Sequence, residues 1–388
     1  MLKKSYHTHC TSVRVSLLWL LWLFAVAPWA VSCQQGKSAA NADGGDTVRL
    51  KYAQNLTIVR YSDHTTVRLL NPWRKGEALA TYLLYEKGEK QPAKGTAEAT
   101  VVQIPLQRSV VSTAPHCQLL EWLGASDAIG GLCDAQYIRT PLTLKSFTAG
   151  HIVDCGSSMV PNVERIIGME SDAILVSPYE NGSYGKLEKT GIPIIACADY
   201  MEPTALGRAE WMKFYGLLYG CEQAADSLFS VVESNYMRLK EQAKASRQCP
   251  RIITERKTGS VWYCPGGKSS MAALFEDANL HYVFADDDHS GSLCLSPETV
   301  VEKAADSDLW LFVYYGSAPL SAEALTTEYK GYAQLKAFRQ GNVYECNSAK
   351  TLYFEEISFR PDYLLQQLIG IAHPDVATPK PLRYYQKM

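Results

Sequence analysis

Residues 203–246 read as helix almost throughout, because their apolar residues recur at steps of three and four along the chain. This spacing places the apolar side chains on one helical face. Gly220 suits the position that follows a helix end, so we predict a shorter helix ending near it and a longer helix from about Glu222. The apolar positions of these helices are Ala205, Trp211, Phe214, Tyr215, Leu218, Leu228, Val231, Val232, Tyr236 and Leu239.

Short apolar strands alternate with helices on both sides of this segment. Continuous apolar strands between helices are typical of parallel sheets that are covered on both faces. We therefore predict an α/β fold of two lobes with mainly parallel sheets, joined by one long helix. Ligands of such sheets bind beyond the carboxyl ends of the strands, so the lobes should share a cleft there. The predicted strands are 109–112, 128–132, 173–176, 192–196, 251–254, 309–313 and 342–346, and the predicted helices are 115–123, 162–169, 270–278 and 297–304.

The segment before residue 108 follows a different pattern, in which apolar and polar residues alternate between turn residues. Alternation with a period of two indicates strands with one buried face. We predict three antiparallel strands at 56–61, 64–70 and 80–85, the first two joined near Ser62 and Asp63. This N-terminal antiparallel β segment is an addition to the two lobes.

The first 32 residues carry three basic residues and no acid, followed by an apolar run over residues 15–31. A membrane-spanning helix is the alternative, but Pro28 interrupts the run and a bilayer needs about 20 apolar residues, so we predict a signal peptide. Residues 30–33 (AVSC) resemble a bacterial lipobox, which implies lipidation of Cys33 and attachment to a membrane through the lipid. The predicted regions are a lipoprotein signal peptide (1–32), a tether (33–47), the β segment (48–107), an N-terminal lobe (108–202), linking helices (203–246) and a C-terminal lobe (247–388).

Composition narrows the class of protein. Of 388 residues, 47% are hydrophobic and 20% charged, which is enough apolar material for two buried cores. The formal net charge is -2, and it becomes -5 when the three basic residues of the signal peptide are removed, so nucleic acid is not an expected partner. The cysteines include no CxxC pair, so we interpret them as buried free thiols.

One acidic pattern occurs in both predicted lobes. Asn162-Val163-Glu164 opens a helix that leads to an apolar strand, and Ser296-Pro297-Glu298 does the same further along. Asn162 and Ser296 are good N-cap residues, so each Glu lies in the first helical turn. A favourable interaction with the helix dipole, worth about 0.3–1 kcal/mol, would suffice to explain either Glu alone.

Together with this repeat, several stretches around the long helix make residues 108–375 resemble the helical-backbone (class III) substrate-binding proteins of ABC importers for iron-siderophore complexes, haem and cobalamin. The resemblance implies a monomeric lipoprotein that faces the periplasm and is anchored to a membrane of the bacterial cell envelope. It also implies that Glu164 and Glu298 dock onto arginines of the ABC permease dimer in the inner membrane. The supporting stretches are 109–115, 123–125, 161–164, 191–193, 296–298, 341–344 and 360–362.

The loops after the predicted strands are rich in aromatic and polar residues, which suits a large amphipathic metal chelate. His116 stands out because the resembled family contacts ligand at the loop that opens the first helix. Cobalamin binders of that family carry Trp shortly before each docking Glu, and this chain has Gly-Ser-rich stretches there, so an iron chelate or haem ranks before cobalamin. The candidate ligand-binding residues are His116, Tyr137, Ser158, Tyr179, Trp262, Tyr263, Lys268, Tyr315 and Tyr353.

Two other classes of function remain as alternatives. A bare divalent cation would need His and carboxylate ligands at close spacing, and the six histidines after the signal peptide show none, so we predict no metal site and no cofactor. The sequence 264–269 (CPGGKS) ends like a phosphate-binding loop, but Trp262 stands where that motif requires Gly. We do not expect an enzyme; a hydrolase or a metallocluster-handling enzyme on a similar two-lobed scaffold is the alternative.

Overall fold

The computed structural model describes residues 44–92, 98–377 and 380–388. The predicted signal peptide, the lipidation site Cys33 and residues 33–43 of the predicted tether lie outside these ranges. No helix within the described ranges is both long enough and apolar enough to cross a bilayer.

The N-terminal segment forms a five-stranded sheet in the order β1-β2-β3-β4-β5. The three predicted strands are present, and the turn at residues 61–64 joins β2 to β3 as predicted. Two strands of the sheet were not predicted: β1, which pairs with β2, and β5, which pairs with β4 in parallel. Its strands are β1 (Asp46–Thr47), β2 (Leu56–Arg60), β3 (Thr65–Leu70), β4 (Ala78–Glu86) and β5 (Thr100–Ile104).

The first lobe is built on a five-stranded parallel sheet in the order β10-β9-β6-β7-β8. Strands β6 and β9 are buried along their whole length and are apolar except for Ser109, as expected for a sheet with both faces covered. Its strands are β6 (Ser109–Val111), β7 (Ile129–Leu132), β8 (Val153–Asp154), β9 (Ala173–Val176) and β10 (Ile194–Ala196), and its helices are α1 (Ala114–Trp122), α2 (Pro141–Thr148) and α3 (Val163–Gly168).

The linking segment contains α4 (Ala205–Glu210), α5 (Met212–Leu218) and α6 (Glu222–Lys244). Gly220 has φ +67°, the left-handed conformation that glycine adopts without strain, so the prediction of a break there is confirmed. One face of α6 is buried through Phe229, Val232 and Tyr236, which recur at helical spacing.

The second lobe has a parallel sheet in the order β14-β11-β16-β17-β18, whose last strand is antiparallel, and a three-stranded antiparallel sheet in the order β12-β13-β15. The sequence did not predict the smaller sheet. The strands are β11 (Arg251–Thr254), β12 (Lys257–Thr258), β13 (Val261–Pro265), β14 (His281–Tyr282), β15 (Ser292–Leu295), β16 (Leu309–Tyr314), β17 (Val343–Asn347) and β18 (Gln386–Lys387), and the helices are α7 (Ser270–Asp277), α8 (Pro297–Ala304), α9 (Ala322–Glu328), α10 (Lys336–Arg339), α11 (Tyr353–Glu356) and α12 (Pro361–Ala372).

The two lobes also pack directly on each other. Helix α1 contacts α11, and α4 contacts α7 and α12. Phe359, which follows α11 and is fully buried, meets the rings of His116 and Tyr215 at 5.6 and 5.8 Å between centroids. The base of the cleft is therefore a packed core shared by both lobes.

Candidate functional site

Side chains from the two lobes meet where the carboxyl ends of their strands face each other. Tyr137 follows β7 of the first lobe, and its ring packs edge-on against Tyr315, which follows β16 of the second, at 5.8 Å between centroids. The Arg139 Nη2 donates to the Tyr315 hydroxyl at 2.8 Å. Both tyrosines are more than half exposed, at 54% and 58%. These residues form the mouth of the cleft.

Below the mouth, the second lobe contains a cavity of about 440 Å³. Three exposed aromatic residues, Tyr263, Tyr315 and Phe354, border it together with Glu255 and Arg256. Aromatic faces around a few charged groups are the composition expected for a site that binds a large amphipathic molecule.

Glu255 follows β11 directly and has φ +60°, a conformation that side chains other than Gly, Asn and Asp adopt rarely. The backbone holds it there, because the Glu255 N–H donates to the Leu311 carbonyl at 2.9 Å and the Glu255 carbonyl accepts from Trp310 Nε1 at 2.8 Å. Backbone strain that the surroundings impose is concentrated at functional sites. Burial raises the pKa of the Glu255 carboxyl to about 7, against the effect of the Val313 N–H and Arg256.

A second acid with a raised pKa lies on α11. Glu355 is 3% exposed, and burial raises its pKa to about 7, while the charge of Arg139 works in the opposite direction. The pKa values of both carboxyl groups are therefore raised toward neutral pH. Glu255 lies in the cavity wall, and Glu355 lies near Arg139 at the mouth.

His116 does not reach the cleft surface, although it was the strongest single candidate from the sequence. It is 3% exposed, and its Nε2 lies 3.1 Å from Asp199 Oδ1 and 2.8 Å from the Tyr215 hydroxyl. Burial works to lower the pKa of His116, but Cys197 and the Asp199 carboxylate outweigh it and raise that pKa to about 10. The buried imidazolium fixes α1 to the linking segment.

Trp262 and Tyr353 are also core residues in the structure. Trp262 is fully buried against Trp310, and its Nε1 donates to the Thr254 carbonyl at 3.1 Å. Tyr353 is 4% exposed and its hydroxyl accepts from Tyr385 at 3.4 Å. Strand alternation explains the first case, because Trp262 faces the core and its neighbour in β13 faces outward.

The remaining candidates are exposed on loops at the carboxyl ends of strands. Ser158 lies after β8, where its N–H donates to Asp134 Oδ2 at 3.1 Å, and Tyr179 lies after β9. Lys268 lies on the loop after β13, which packs so closely on residues 287–291 that a Cβ on Gly267 would sit 2.3 Å from the Asp287 carbonyl oxygen. This close approach explains the glycines of the 264–269 stretch without a phosphate.

Glu164 and Glu298 are exposed, each in the first turn of its helix. The predicted caps are confirmed: Asn162 Oδ1 accepts from the Arg165 N–H and Ser296 Oγ from the Thr299 N–H, both at 3.1 Å. Glu298 Oε1 also accepts from the Tyr329 hydroxyl at 3.2 Å. Each lobe thus presents one of these two capped-helix carboxylates to solvent.

Sequence reasoning missed Glu255 and Arg139. Glu255 directly follows β11 and Arg139 lies on the loop after β7, so position relative to the strand ends was the signal that could have identified them. The described residues contain no group of three or more His, Cys, Asp or Glu side chains placed to hold a metal ion.

Comparisons with known proteins agree with the two-lobed fold. A family profile described as "Periplasmic binding protein" matches residues 110–349. An uncharacterized lipoprotein of Methanocaldococcus jannaschii is 27% identical over 365 residues, which cover 87% of this chain and 85% of that protein.

Two solved structures are similar to the fold. A periplasmic heme-binding protein from Pseudomonas aeruginosa has a TM-score of 0.57 at 16% identity and is matched over 72% of this chain and 97% of its own. An ABC-type Fe3+-hydroxamate transport protein from Saccharomonospora viridis has a TM-score of 0.54 at 19% identity, over 69% of this chain and 93% of its own. At these identities the likeness concerns the fold.

Proposed function

The chain belongs to the periplasmic binding protein family, and from this premise we propose that it is the substrate-binding lipoprotein of an ABC importer. It captures an iron chelate, either a siderophore complex or haem, or else cobalamin, in the cleft between its lobes and delivers it to the membrane permease. The observation that carries this proposal is the contact of Tyr137 and Arg139 with Tyr315 above the cavity of about 440 Å³.

Several features of the cavity support an amphipathic metal chelate as the ligand. The cavity is bordered by exposed tyrosine and phenylalanine rings, which provide flat apolar contact, and by Glu255 and Arg256, which provide charge. A cavity of a few hundred cubic ångströms with aromatic walls and few polar groups is typical of sites that bind drug-sized molecules. Attachment through a lipid on Cys33 would keep the protein close to its permease.

Binding is tested with the full protein and three coloured probes: haemin, a ferric hydroxamate and cyanocobalamin. We expect one of them to bind and to be released chemically unchanged, because a carrier returns its ligand intact. Absorbance and mass spectrometry of protein purified from its native source identify the natural ligand. Tyr315→Ala should weaken binding at least tenfold, whereas the same change at Tyr344, away from the cleft, should not. Conversion of a probe to a new product would favour the enzyme alternative.

Delivery to the permease is assigned to Glu164 and Glu298. Exposed ion pairs are each worth only about 0.2–1 kcal/mol, so the expected effect of these carboxylates is to orient the two lobes on the two permease subunits. The double variant Glu164→Lys/Glu298→Lys should lose import while it keeps the ligand affinity. Glu302→Lys, on the same helix as Glu298 and exposed, is the matched control. Normal import by the double variant would refute this role.

A further inference from the structure

The N-terminal sheet is oriented so that one of its turns lies at the ligand side of the first lobe. At the end of β4, Lys87 Nζ lies 3.1 Å from Oδ2 of Asp172, the residue that precedes β9. Within β4, the Tyr82 hydroxyl accepts at 2.8 Å from the N–H of Ala196, the last residue of β10. Strand β4 therefore runs from the carboxyl edge of the lobe's sheet toward its amino edge. The turn that precedes β4, residues 71–77, lies beyond the carboxyl edge.

A direct contact places this turn beside the loops of the cleft. Arg74 Nη2 donates to Asn181 Oδ1 at 3.0 Å, and Asn181 lies on the loop after β9, next to the exposed Tyr179. The turn itself is well ordered by hydrogen bonds, because Asn71 Oδ1 accepts from the N–H groups of Trp73 and Arg74, both at 3.0 Å. It is therefore a preformed surface.

The spacing of the strands sets the minimum size of a ligand that could contact both the 71–77 turn and the mouth of the cleft. Strands β9 and β7 are separated by β6, so the loops that follow them lie about 10 Å apart at the usual strand spacing. Tyr137 and Arg139 lie on the β7 side and the 71–77 turn on the β9 side. A molecule with a diameter of about 10 Å or more, the scale of a porphyrin, a corrin or a folded siderophore, spans this distance.

We propose that the 71–77 turn is a third wall of the ligand site, and that Arg74 and Lys75 bind carboxylate or carbonyl oxygens at the periphery of a bulky chelate. This inference rests on the proposed function and names the chemistry of the ligand's outer groups. Both side chains are exposed cations. Arg74 Nη2 donates to Asn181 and Nη1 lies 3.7 Å from the Glu77 carboxylate, which leaves the other N–H groups of the guanidinium available. The adjoining face of Tyr179 supplies apolar contact.

The test measures probe affinity in variants of the full protein. Arg74→Ala/Lys75→Ala should weaken binding of the bound probe roughly tenfold, the effect of losing a charge-assisted hydrogen bond. Lys90→Ala is the matched control, because Lys90 is an exposed lysine on the loop after β4, at the opposite end of the same sheet. Lys75→Glu separates binding from support of the fold: its affinity for haemin, which carries carboxylates, should fall more than its affinity for cyanocobalamin, which carries amides.

Hydrogen exchange provides a second readout. Ligand should protect the amides of residues 71–77 and leave those of the opposite turn, residues 61–64, unchanged. If Tyr315→Ala weakens binding but the Arg74 and Lys75 variants do not, the proposal that the 71–77 turn contacts the ligand is refuted, while the proposed ligand site in the cleft is retained. If the wild-type protein binds none of the three probes, the proposed metal-chelate function fails and this inference fails with it.

Discussion

The attachment of the N-terminal sheet to the linking helices depends on a buried carboxylate, and replacing it tests how the extra segment is held. Glu210 is fully buried at the end of α4. Its oxygens accept from three consecutive backbone N–H groups, those of Lys51 at 3.0 Å, Tyr52 at 2.7 Å and Ala53 at 3.0 Å. Glu202 receives the next two N–H groups, from Gln54 and Asn55, both at 2.9 Å.

Glu210→Gln keeps one acceptor oxygen and turns an amide NH₂ toward N–H groups that need an acceptor. Hydrogen bonds to charged groups contribute about 1.5–3 kcal/mol each, and an uncompensated buried donor adds its desolvation cost, so we expect a loss of about 3 kcal/mol in the free energy of unfolding. At about 2 °C per kcal/mol for a chain of this size, the melting temperature should fall by about 6 °C.

The assay is thermal and urea unfolding of the lipid-free protein. Glu222→Gln is the control, because Glu222 begins the adjacent helix and is paired with Arg60 at 2.6 Å on the surface. Exposed pairs contribute about 0.2–1 kcal/mol, so this variant should melt within about 2 °C of the wild type. Equal melting temperatures for the two variants would refute the idea that Glu210 anchors the 51–55 loop.

Three further predictions concern stability. The pKa of His116 is raised to about 10, so its ion pair stabilises the fold fully below the unfolded pKa of about 6.5, and this stabilisation is lost as the pH rises through 10. His116→Gln should therefore flatten the decline in melting temperature between pH 7 and 9. The control variant His289→Gln, at an exposed position, should not. The pKa of Glu255 is raised to about 7, so the folded state favours its protonated carboxyl, and the stability of the protein falls as the pH rises from about 4–5 through 7. Glu255→Gln should therefore be more stable than the wild type at pH 8 but not at pH 4. Gly216→Ala would place a Cβ 2.6 Å from that of Ala225 and should destabilise by about 1–3 kcal/mol, whereas Gly370→Ala, with open space around it in α12, should stabilise by about 0.5–1 kcal/mol in urea unfolding.

The elements that the sequence predicted well are those whose pattern is local. Helix α6 follows from apolar spacing and the glycine before it, and β16 follows from an uninterrupted apolar run. Strand β5 was missed because its partner β4 is separated from it by a crossover, so its place depends on where the chain returns. The small sheet β12-β13-β15 was missed because β12 has only two residues and β15 pairs with β13 across the intervening residues 266–291.

The candidate site was predicted less completely, because exposure is decided by distant partners. His116 has the sequence context of a ligand-contacting loop, yet its partners Asp199 and Tyr215 lie 83 and 99 positions further along the chain. In β13, the aromatic pair Trp262-Tyr263 alternates between core and surface, and the sequence of the strand alone does not say which face the lobe covers. Glu255 became recognisable only through its backbone conformation and its place at the end of β11.

The contacts between the lobes differ in strength with depth, and this difference constrains how ligand enters. At the base, separating α1 from α11 would expose apolar side chains such as Phe359, at about 2–3 kcal/mol for each. At the mouth, the exposed hydrogen bond between Arg139 and Tyr315 contributes only about 1 kcal/mol, so opening there changes populations by about fivefold. The 51–55 loop bound to Glu202 and Glu210 adds a further restraint on the linking helices. We therefore expect ligand to enter by a small opening of the mouth that pivots on an intact base, rather than by wide separation of the lobes.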